Sequence, residues 1–299
     1  MFGLLGPQFL SIRNLSAILD QASWLVVLAL GMNLVLLTAG VDLSVGSTMY
    51  LSAITVGLGL GACPIWLCVI ASILVGAICG AINGSLIVSA KLPAFIVTLS
   101  TIFIGRGLGL YLTSTRIVYA SPAIASFGRA GAWGVAAPVW LAAAVTLCGW
   151  IIYEKTPLGP YIRSIGADAD GARRAGVPVA AATFGVYILC GAAAGLSGFI
   201  SLSQASAATG AFGQNAEFLS IAAAVLGGTS LFGGRGSAWA PLVGAVLITI
   251  VQNGLSMMNA NPYAYPVITG TIIFIAALID SLLSGALARL SRRPVTAQT

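Results

Sequence analysis

Bond-making chemistry needs polar side chains at workable spacings, and this sequence supplies very few. Its 299 residues hold thirteen Lys and Arg, seven Asp and Glu, and no histidine. Without an imidazole, Ser-His-Asp catalysis has no base, and the carboxylates are too sparse for a metalloenzyme's ligand set. The five cysteines, Cys63, Cys68, Cys79, Cys148 and Cys190, sit within or beside apolar runs with no CxxC pair, and read as small buried hydrophobes. No GxxxxGK[ST] phosphate loop is present, so if ATP drives this protein another subunit binds it. The sequence therefore calls for no catalytic residue, no metal and no cofactor. One concentration of charge remains, in residues 154–179: Glu154, Lys155, Arg163, Asp168, Asp170, Arg173 and Arg174. Each ionised group would cost roughly 2.5–3.5 kcal/mol in the centre of a bilayer. The segment must lie in water, and its basic residues predict the cytoplasmic side.

Elsewhere the polar groups stand singly among apolar residues. Arg106 lies inside an apolar run with Thr98, Ser100 and Thr101 on the preceding turns. A cation there marks a pathway or snorkels to the interface. Asp42 opens DLSVGS, where it caps the following helix or pairs with a basic loop residue, while Ser44, Gly46 and Ser47 allow close backbone approach. The stretch GGTSLFGGRGS (227–237) places Gly228 and Arg235 in irregular backbone. Such backbone is tolerated at membrane depth only inside protein or along a cavity, which points to a gate or a subunit interface. Arg235 falls on the side of the charged segment and so near whatever docks there. Glu217 caps a helix or receives a soluble partner. Asn33, Asn83, Gln204, Gln214, Gln252 and Asn253 are the strongest neutral pathway groups.

The elements that must position these groups are membrane helices. Hydrophobic residues make up 59% of the chain and charged residues 7%, with a mean hydropathy of +1.03, whereas soluble domains carry about 25% charge. Only helices and closed barrels satisfy every backbone group in lipid, and the alternating segments of a barrel are missing. The net charge of +6 gathers at membrane-flanking loops and the C-terminus, so it implies no nucleic acid. The apolar runs predict crossings at about 21–41, 46–62, 65–89, 93–113, 133–153, 180–201, 218–234 (short or broken), 238–258 and 263–284, with a polar loop at 114–131. The chain divides into residues 1–20, a transmembrane half over 21–153, the charged segment 154–179, a second half over 180–284 and a tail over 285–299. Counting back from that tail (Arg289, Arg292, Arg293) puts Lys91 and Arg235 on the charged side and Arg116 and Arg129 on the other. Nine crossings then leave the N-terminus outside.

Four stretches, TAGVDLSVGS (38–47), LPAFIVTLSTIFIGRGLGLYLT (92–113), IRSIGADADGARRAGVPV (162–179) and EFLSIAAAVLGGTSLFGGRGS (217–237), occur in an order that resembles a known family. They are similar to the membrane permease subunit of bacterial ABC importers for ribose, arabinose, xylose and related sugars, from about Phe9 to Leu283. The resemblance implies an all-α, polytopic transmembrane bundle of the ten-helix type II-like importer permease fold, with about nine helices present. The family's first helix precedes FLSIRNL (9–15), so residues 1–20 read as its remnant. The resemblance makes Tyr161–Gly176 a coupling helix lying along the membrane surface, with breaks at Gly166 and Gly176. It implies contact with an ATPase through Gly159, Tyr161, Arg163, Gly166, Asp168, Ala172, Arg173, Gly176 and Arg235. Arg174 and Gly171 depart from the family's usual apolar residue and alanine. The pathway or gate candidates are Asn33, Asp42, Ser44, Asn83, Thr98, Thr101, Arg106, Gly228 and Asn253. Implied partners are the ATPase subunits, a periplasmic sugar-binding protein, a second permease copy (homodimer or heterodimer) and membrane lipid, in a bacterial inner membrane crossed many times. Two alternatives stay open: a branched-chain amino-acid or nucleoside ABC permease, and an ion-coupled secondary carrier. A carrier usually keeps carboxylates in mid-membrane, whereas Asp42, Glu217 and Asp280 fall near expected helix ends. An intramembrane enzyme lacks a nucleophile–base pair.

Overall fold

The computed structural model describes residues 7–261, 264–265, 267–272, 274–275 and 278. A single 3-10 turn, Pro7–Leu10, leads into α1 (Ile12–Leu37), which Ser11 caps by accepting from the Asn14 N–H at 3.3 Å. This first long helix begins at Ile12, not Gln21: Ser11 supplies the N-terminal acceptor and the polar residues of its first turns project sideways without breaking it. Chain reversal at Ala39 (φ 58°) and Gly40 leads to α2 (Val45–Gly59). Pro64 and Pro93 precede α3 (Ile65–Val88) and α4 (Ala94–Thr113), as fits residues that cannot continue a helix but start one well.

The expected polar loop at 114–131 is more structured than its composition implies. It holds β1 (Val118–Tyr119), a short α5 (Pro122–Arg129) capped by Ser121, and β2 (Gly131–Ala132). β2 pairs with β3 (Val135–Ala136) through Trp133 and Gly134, both at positive φ, a two-residue hairpin turn. Then come α6 (Ala137–Lys155), α7 (Leu158–Ala167), α8 (Ala169–Arg174), α9 (Val179–Ala205), β4 (Ala207–Ala208), α10 (Ala216–Leu226) and α11 (Ala240–Met257). The described residues within 264–278 are helical. The rest of the 263–284 helix, Asp280 and the 285–299 tail with Arg289, Arg292 and Arg293 lie outside the described residues.

Among the described residues six helices, α1, α3, α4, α6, α9 and α11, are long and apolar enough to cross a bilayer, so the chain is a multi-pass membrane protein. α2 and α10 are not: their 15 and 11 residues span about 22 and 16 Å. The expected short or broken crossing at 218–234 is this second short helix, followed by irregular backbone. The order long–short–long recurs in α1–α2–α3 and α9–α10–α11. α1 ends at the charged segment, where Leu37 O accepts from Gly234 N, whereas α9 starts there after Pro178. The two runs therefore point in opposite senses, the arrangement of an inverted repeat. At the far end β1 pairs antiparallel with β4, Val118 opposite Ala208.

α9 runs through the middle of the bundle, and its contact with α3 is built on absent side chains. Ser72, Gly76, Gly80 and Gly84 form one face of α3; Ile70, Leu74, Ile78 and Ile82 form the opposite, exposed face. A Cβ on Gly80 would lie 2.1 Å from Tyr187 O, and one on Gly191 of α9 would lie 2.2 Å from Gly76 O. Backbones meet here because small residues recur every fourth position, the device that substitutes in lipid for hydrophobic association. Gly80→Val is expected to destabilise the bundle by about 1–3 kcal/mol through overpacking. Gly185→Ala, on α9 with open space at its Cβ position, should leave the thermal midpoint in detergent unchanged or slightly raised. Equal midpoints for the two variants would show that the α3–α9 approach is looser than described.

Candidate functional site

The charged segment forms two helices, not one. α7 contains Gly166 within its run, and the chain breaks two residues later at Asp168, in extended conformation (φ −161°, ψ 100°). The expected break at Gly166 is therefore replaced by one at Asp168, whose Oδ1 accepts from Asp170 N at 3.1 Å and caps α8. The break at Gly176 stands: its φ is +86°, and Val177 N donates to Ala172 O to close the helix end.

Gly166 is small for a different reason from the backbone freedom a break would need. A Cβ there would fall 1.9 Å from Leu37 O and 2.4 Å from Gly234 N. α7 thus seats directly on the end of α1 and on the 227–237 stretch. Gly159 does the same against Tyr153 O, at 1.8 Å. Around these contacts a set of bonds closes. Tyr153 donates its hydroxyl to Gly236 O, and the Arg163 guanidinium lies 4.6 Å from the centre of the Tyr153 ring. Asn33 of α1 donates to Ser237 O at 3.2 Å and accepts from Thr229 Oγ1 at 2.6 Å. The end of α1, the end of α6, α7 and the 229–237 stretch form one block.

This block sorts the sequence candidates. Gly159 and Ala172 are buried, Tyr161, Arg163 and Gly166 are half-buried, and Asp168, Arg173, Gly176 and Arg235 are exposed. Ile165 and Ala172 pack with Ala182 beneath the helix pair, and Ile162 joins the main core with Tyr153 and Leu37. Above it, Arg173 donates to Asp170 Oδ1 at 2.7 Å and Arg174 reaches Asp168 at 3.8 Å, both pairs in solvent. The exposed face of α8 is thus a mixed acidic and basic surface on a rigid underside.

A second group lies inside the bundle, where three stretches distant in sequence meet. Asp42 Oδ1 accepts from Ser44 N and Ser44 Oγ at 2.9 and 2.6 Å. Ser44 Oγ accepts from Asn83 Nδ2 at 2.8 Å, and Asn83 Oδ1 accepts from Thr101 Oγ1 at 2.7 Å. The Thr98 hydroxyl bonds Ala94 O at 2.9 Å and reaches Val41 O at 3.4 Å. Asp42, Ser44, Asn83 and Thr98 are all buried. Asp42 acts neither as the N-cap of α2, which is Ser44, nor through a basic partner; it makes a side-chain turn onto Ser44 and anchors a chain that ties α2 to α3 and α4. Such chains strengthen by mutual polarisation in a low-dielectric interior.

The other pathway candidates are not gathered with these. Asn33 belongs to the coupling block, and Gly228 (φ +105°) turns the chain at the end of α10. Asn253 accepts from Asn14 at 3.1 Å at the opposite end of α1. Arg106 does not snorkel: it donates to Gly210 O at 3.2 Å and to Phe212 O. Gln204 bonds Asp20 and Ser23, while Gln214 is exposed. Tyr153, the centre of the coupling block, was missed in the sequence. Its only signal is a tyrosine in the last turn of a span, just ahead of the first charges.

Residues 14–277 match the family model described as "Branched-chain amino acid transport system / permease component". The chain is 35% identical to the ribose import permease protein RbsC of Escherichia coli (strain K12), over 93% of this chain and 88% of that one. It is 35% identical to the D-allose transport system permease protein AlsC of the same strain, over 95% and 88% of the two chains. To the fructose import permease protein FrcC of Rhizobium meliloti it is 34% identical, over 93% and 80%. No solved structure matches the chain significantly.

The two hydrogen-bonded groups differ in how many bonds a substitution removes. Asn83→Leu removes two side-chain bonds from the buried chain at once, those to Ser44 and Thr101, each worth about 0.5–1.5 kcal/mol. Tyr153→Phe removes one hydroxyl bond near the water boundary, about 0.5–1.5 kcal/mol. Thermal unfolding in detergent should rank Asn83→Leu as the more damaging, and the reverse order would move the stronger tie to the coupling block.

Proposed function

The chain belongs to the branched-chain amino acid transport system permease-component family, and on that premise we propose that it is the membrane subunit of an ATP-driven importer for a monosaccharide. The observation that carries this reading is likeness over nearly the whole chain to relatives named for ribose, allose and fructose import. The family's name covers amino-acid permeases too, but these relatives are named for sugar import, which favours a neutral sugar over an amino acid. The protein sits in the bacterial inner membrane, pairs with a second permease copy and receives substrate from a periplasmic binding protein at the end bearing α5 and the β2–β3 hairpin. ATP is hydrolysed on separate subunits.

Those ATPase subunits dock on the exposed face of α7–α8, through Asp168, Arg173 and Gly176, with Arg235 beside them. Gly159, Tyr161, Arg163, Gly166 and Ala172 act from beneath by fixing the shape of the docking surface. Close backbone seating of α7 on α1 and on the 229–237 stretch supports rigid-body transmission. A push on α7 reaches the cytoplasmic ends of α1, α10 and α11 together, because no flexible side chain lies between Gly166 and Leu37 O to absorb it. Transport then proceeds by rocking of helix groups around a weakly binding path, as in alternating access. The buried chain from Asp42 to Thr101 moves as a unit within one such group. A secondary carrier is not favoured, since its coupling carboxylate would need to face a path, and Asp42 is enclosed by its own hydrogen bonds.

Two expectations follow for purified protein in liposomes. The permease alone should show no saturable sugar uptake under a sugar or proton gradient, and addition of its ATPase subunits, binding protein and ATP should produce it; uptake by the lone permease overturns the importer reading. Within the assembled complex, Arg173→Glu should lower binding-protein-stimulated ATP hydrolysis at least tenfold while the permease keeps its thermal midpoint. Gly166→Val should lower both, because it forces α7 off α1. Wild-type stimulation in Arg173→Glu would remove α8 from the docking face.

A further inference from the structure

The two short helices begin at the same place, deep in the bundle. A Cβ on Gly46, in the first turn of α2, would lie 2.4 Å from Gly213 O and 2.5 Å from Glu217 Oε2. A Cβ on Gly213 would lie 2.5 Å from Gly46 O. The start of α2 and the segment leading into α10 therefore touch backbone to backbone, with the Glu217 carboxylate pressed against them. Glu217 is only 5% exposed, and its Oε2 is buried with no hydrogen-bond partner.

A cation stands nearby but is engaged elsewhere. Arg106 of α4 gives Nη1 to the carbonyls of Gly210 and Phe212, so it holds the 206–215 segment by its backbone. Its guanidinium carbon lies 5.4 Å from the centre of the Tyr50 ring, and Tyr50 in turn shares a hydrogen bond with Thr113 at 3.3 Å. Arg106 and Glu217 are within electrostatic reach of each other, yet no ion pair joins them in this structure. A buried carboxylate oxygen without a donor costs free energy in whatever state leaves it so. A guanidinium has five donors in a fixed fork, suited to a carboxylate's two oxygens. One state satisfies two loop carbonyls and strands the carboxylate; the other satisfies the carboxylate and releases the carbonyls.

We propose that Arg106 and Glu217 form a two-position latch, in which the guanidinium pins the 206–215 segment in the state described and swings to the Glu217 carboxylate in another state of the cycle, freeing that segment. The proposal rests on the transporter reading above. It gives the segment two discrete arrangements whose balance the rest of the molecule can bias, which is what a gate requires. The bias has a route. The 206–215 segment runs into α10, and the far end of α10 enters the 227–237 stretch that belongs to the coupling block. A bland account makes Glu217 a charge in the first turn of α10, where the helix dipole favours it; that role asks nothing of Arg106.

The test uses the full complex of permease, ATPase subunits and binding protein in liposomes, with sugar uptake, basal ATP hydrolysis and thermal midpoint read together. Glu217→Gln keeps the shape and removes the charge. Uptake should fall at least tenfold, with basal hydrolysis within twofold of wild type and the midpoint unchanged. The double variant Arg106→Gln/Glu217→Gln should lower uptake no further than Arg106→Gln alone, because without the guanidinium the carboxylate has nothing to receive. Wild-type uptake in Glu217→Gln overturns the latch. So does a lowered midpoint or lost assembly in that variant, which would assign the carboxylate to folding. A double variant whose loss is the product of the two single losses overturns it too. Failure of the wild-type complex to import sugar with ATP would instead sink the transporter reading, so the two failures are told apart.

Discussion

Hydrocarbon offers no hydrogen bond, so every polar group placed in it must find its partner within the protein. The whole arrangement follows from that requirement. Six long helices satisfy their own backbones, but α2 and α10 stop short, and the segments that complete their crossings carry open backbone at membrane depth. Those segments are closed by other parts of the chain: Leu37 O takes the Gly234 N–H, Arg106 takes the Gly210 and Phe212 carbonyls, and Tyr153 takes the Gly236 carbonyl. Each of these bonds joins elements distant in sequence. The irregular backbone therefore adds a second tie between the two halves of the molecule, beside the close approach of α3 and α9.

The same solvent removes the hydrophobic drive between helices, and contact depends on how closely backbones approach. Between α3 and α9 the approach comes from glycines at every fourth position, and between α7 and α1 from Gly166. The consequence is mechanical. Side chains that interdigitate can change rotamer and take up a displacement, whereas a helix resting on another's carbonyl cannot. The coupling block is joined through Gly159, Gly166 and Gly233, each of which has backbone or Cβ atoms at its Cβ position. Arg106 and Glu217 lie at the opposite end of α10 from this block, where the contacts are hydrogen bonds to loop carbonyls instead of a helix seated on a carbonyl.

Much of this was legible in the sequence, and the limits have physical causes. The membrane class, the long apolar helices and the shortness of the helix at Glu217 follow from where charge and apolar runs fall, because the bilayer penalises every exception. The grouping of Asp42, Ser44, Asn83, Thr98 and Thr101 was half legible. Each was marked as unusual for its surroundings, but nothing in a linear order says that Asn83 meets Ser44 while Asn253 meets Asn14. The break assigned to Gly166 failed because glycine has two uses: it permits positive φ, and it permits close approach. The sequence is the same for both. Asp168 could make the break instead because its side chain satisfies the first amide of the next helix. Tyr153 escaped notice since a tyrosine at the end of a span is ordinary interface composition.

The division of the charged segment into a seated face and an exposed face bears on how such a protein diverges from its relatives. Arg173 and Arg174 stand in solvent, Arg174 reaching Asp168 at 3.8 Å, whereas Gly159 and Ala172 are buried and Gly166 is half-buried. A partner surface can change on one side of an interface if the other changes with it, but a carbonyl 1.9 Å from where a Cβ would stand allows no such exchange within one chain. Positions that set the seat of α7 are therefore constrained by the fold of this subunit alone. Positions on its exposed outer face, Arg173 and Arg174 among them, meet no such limit within this chain.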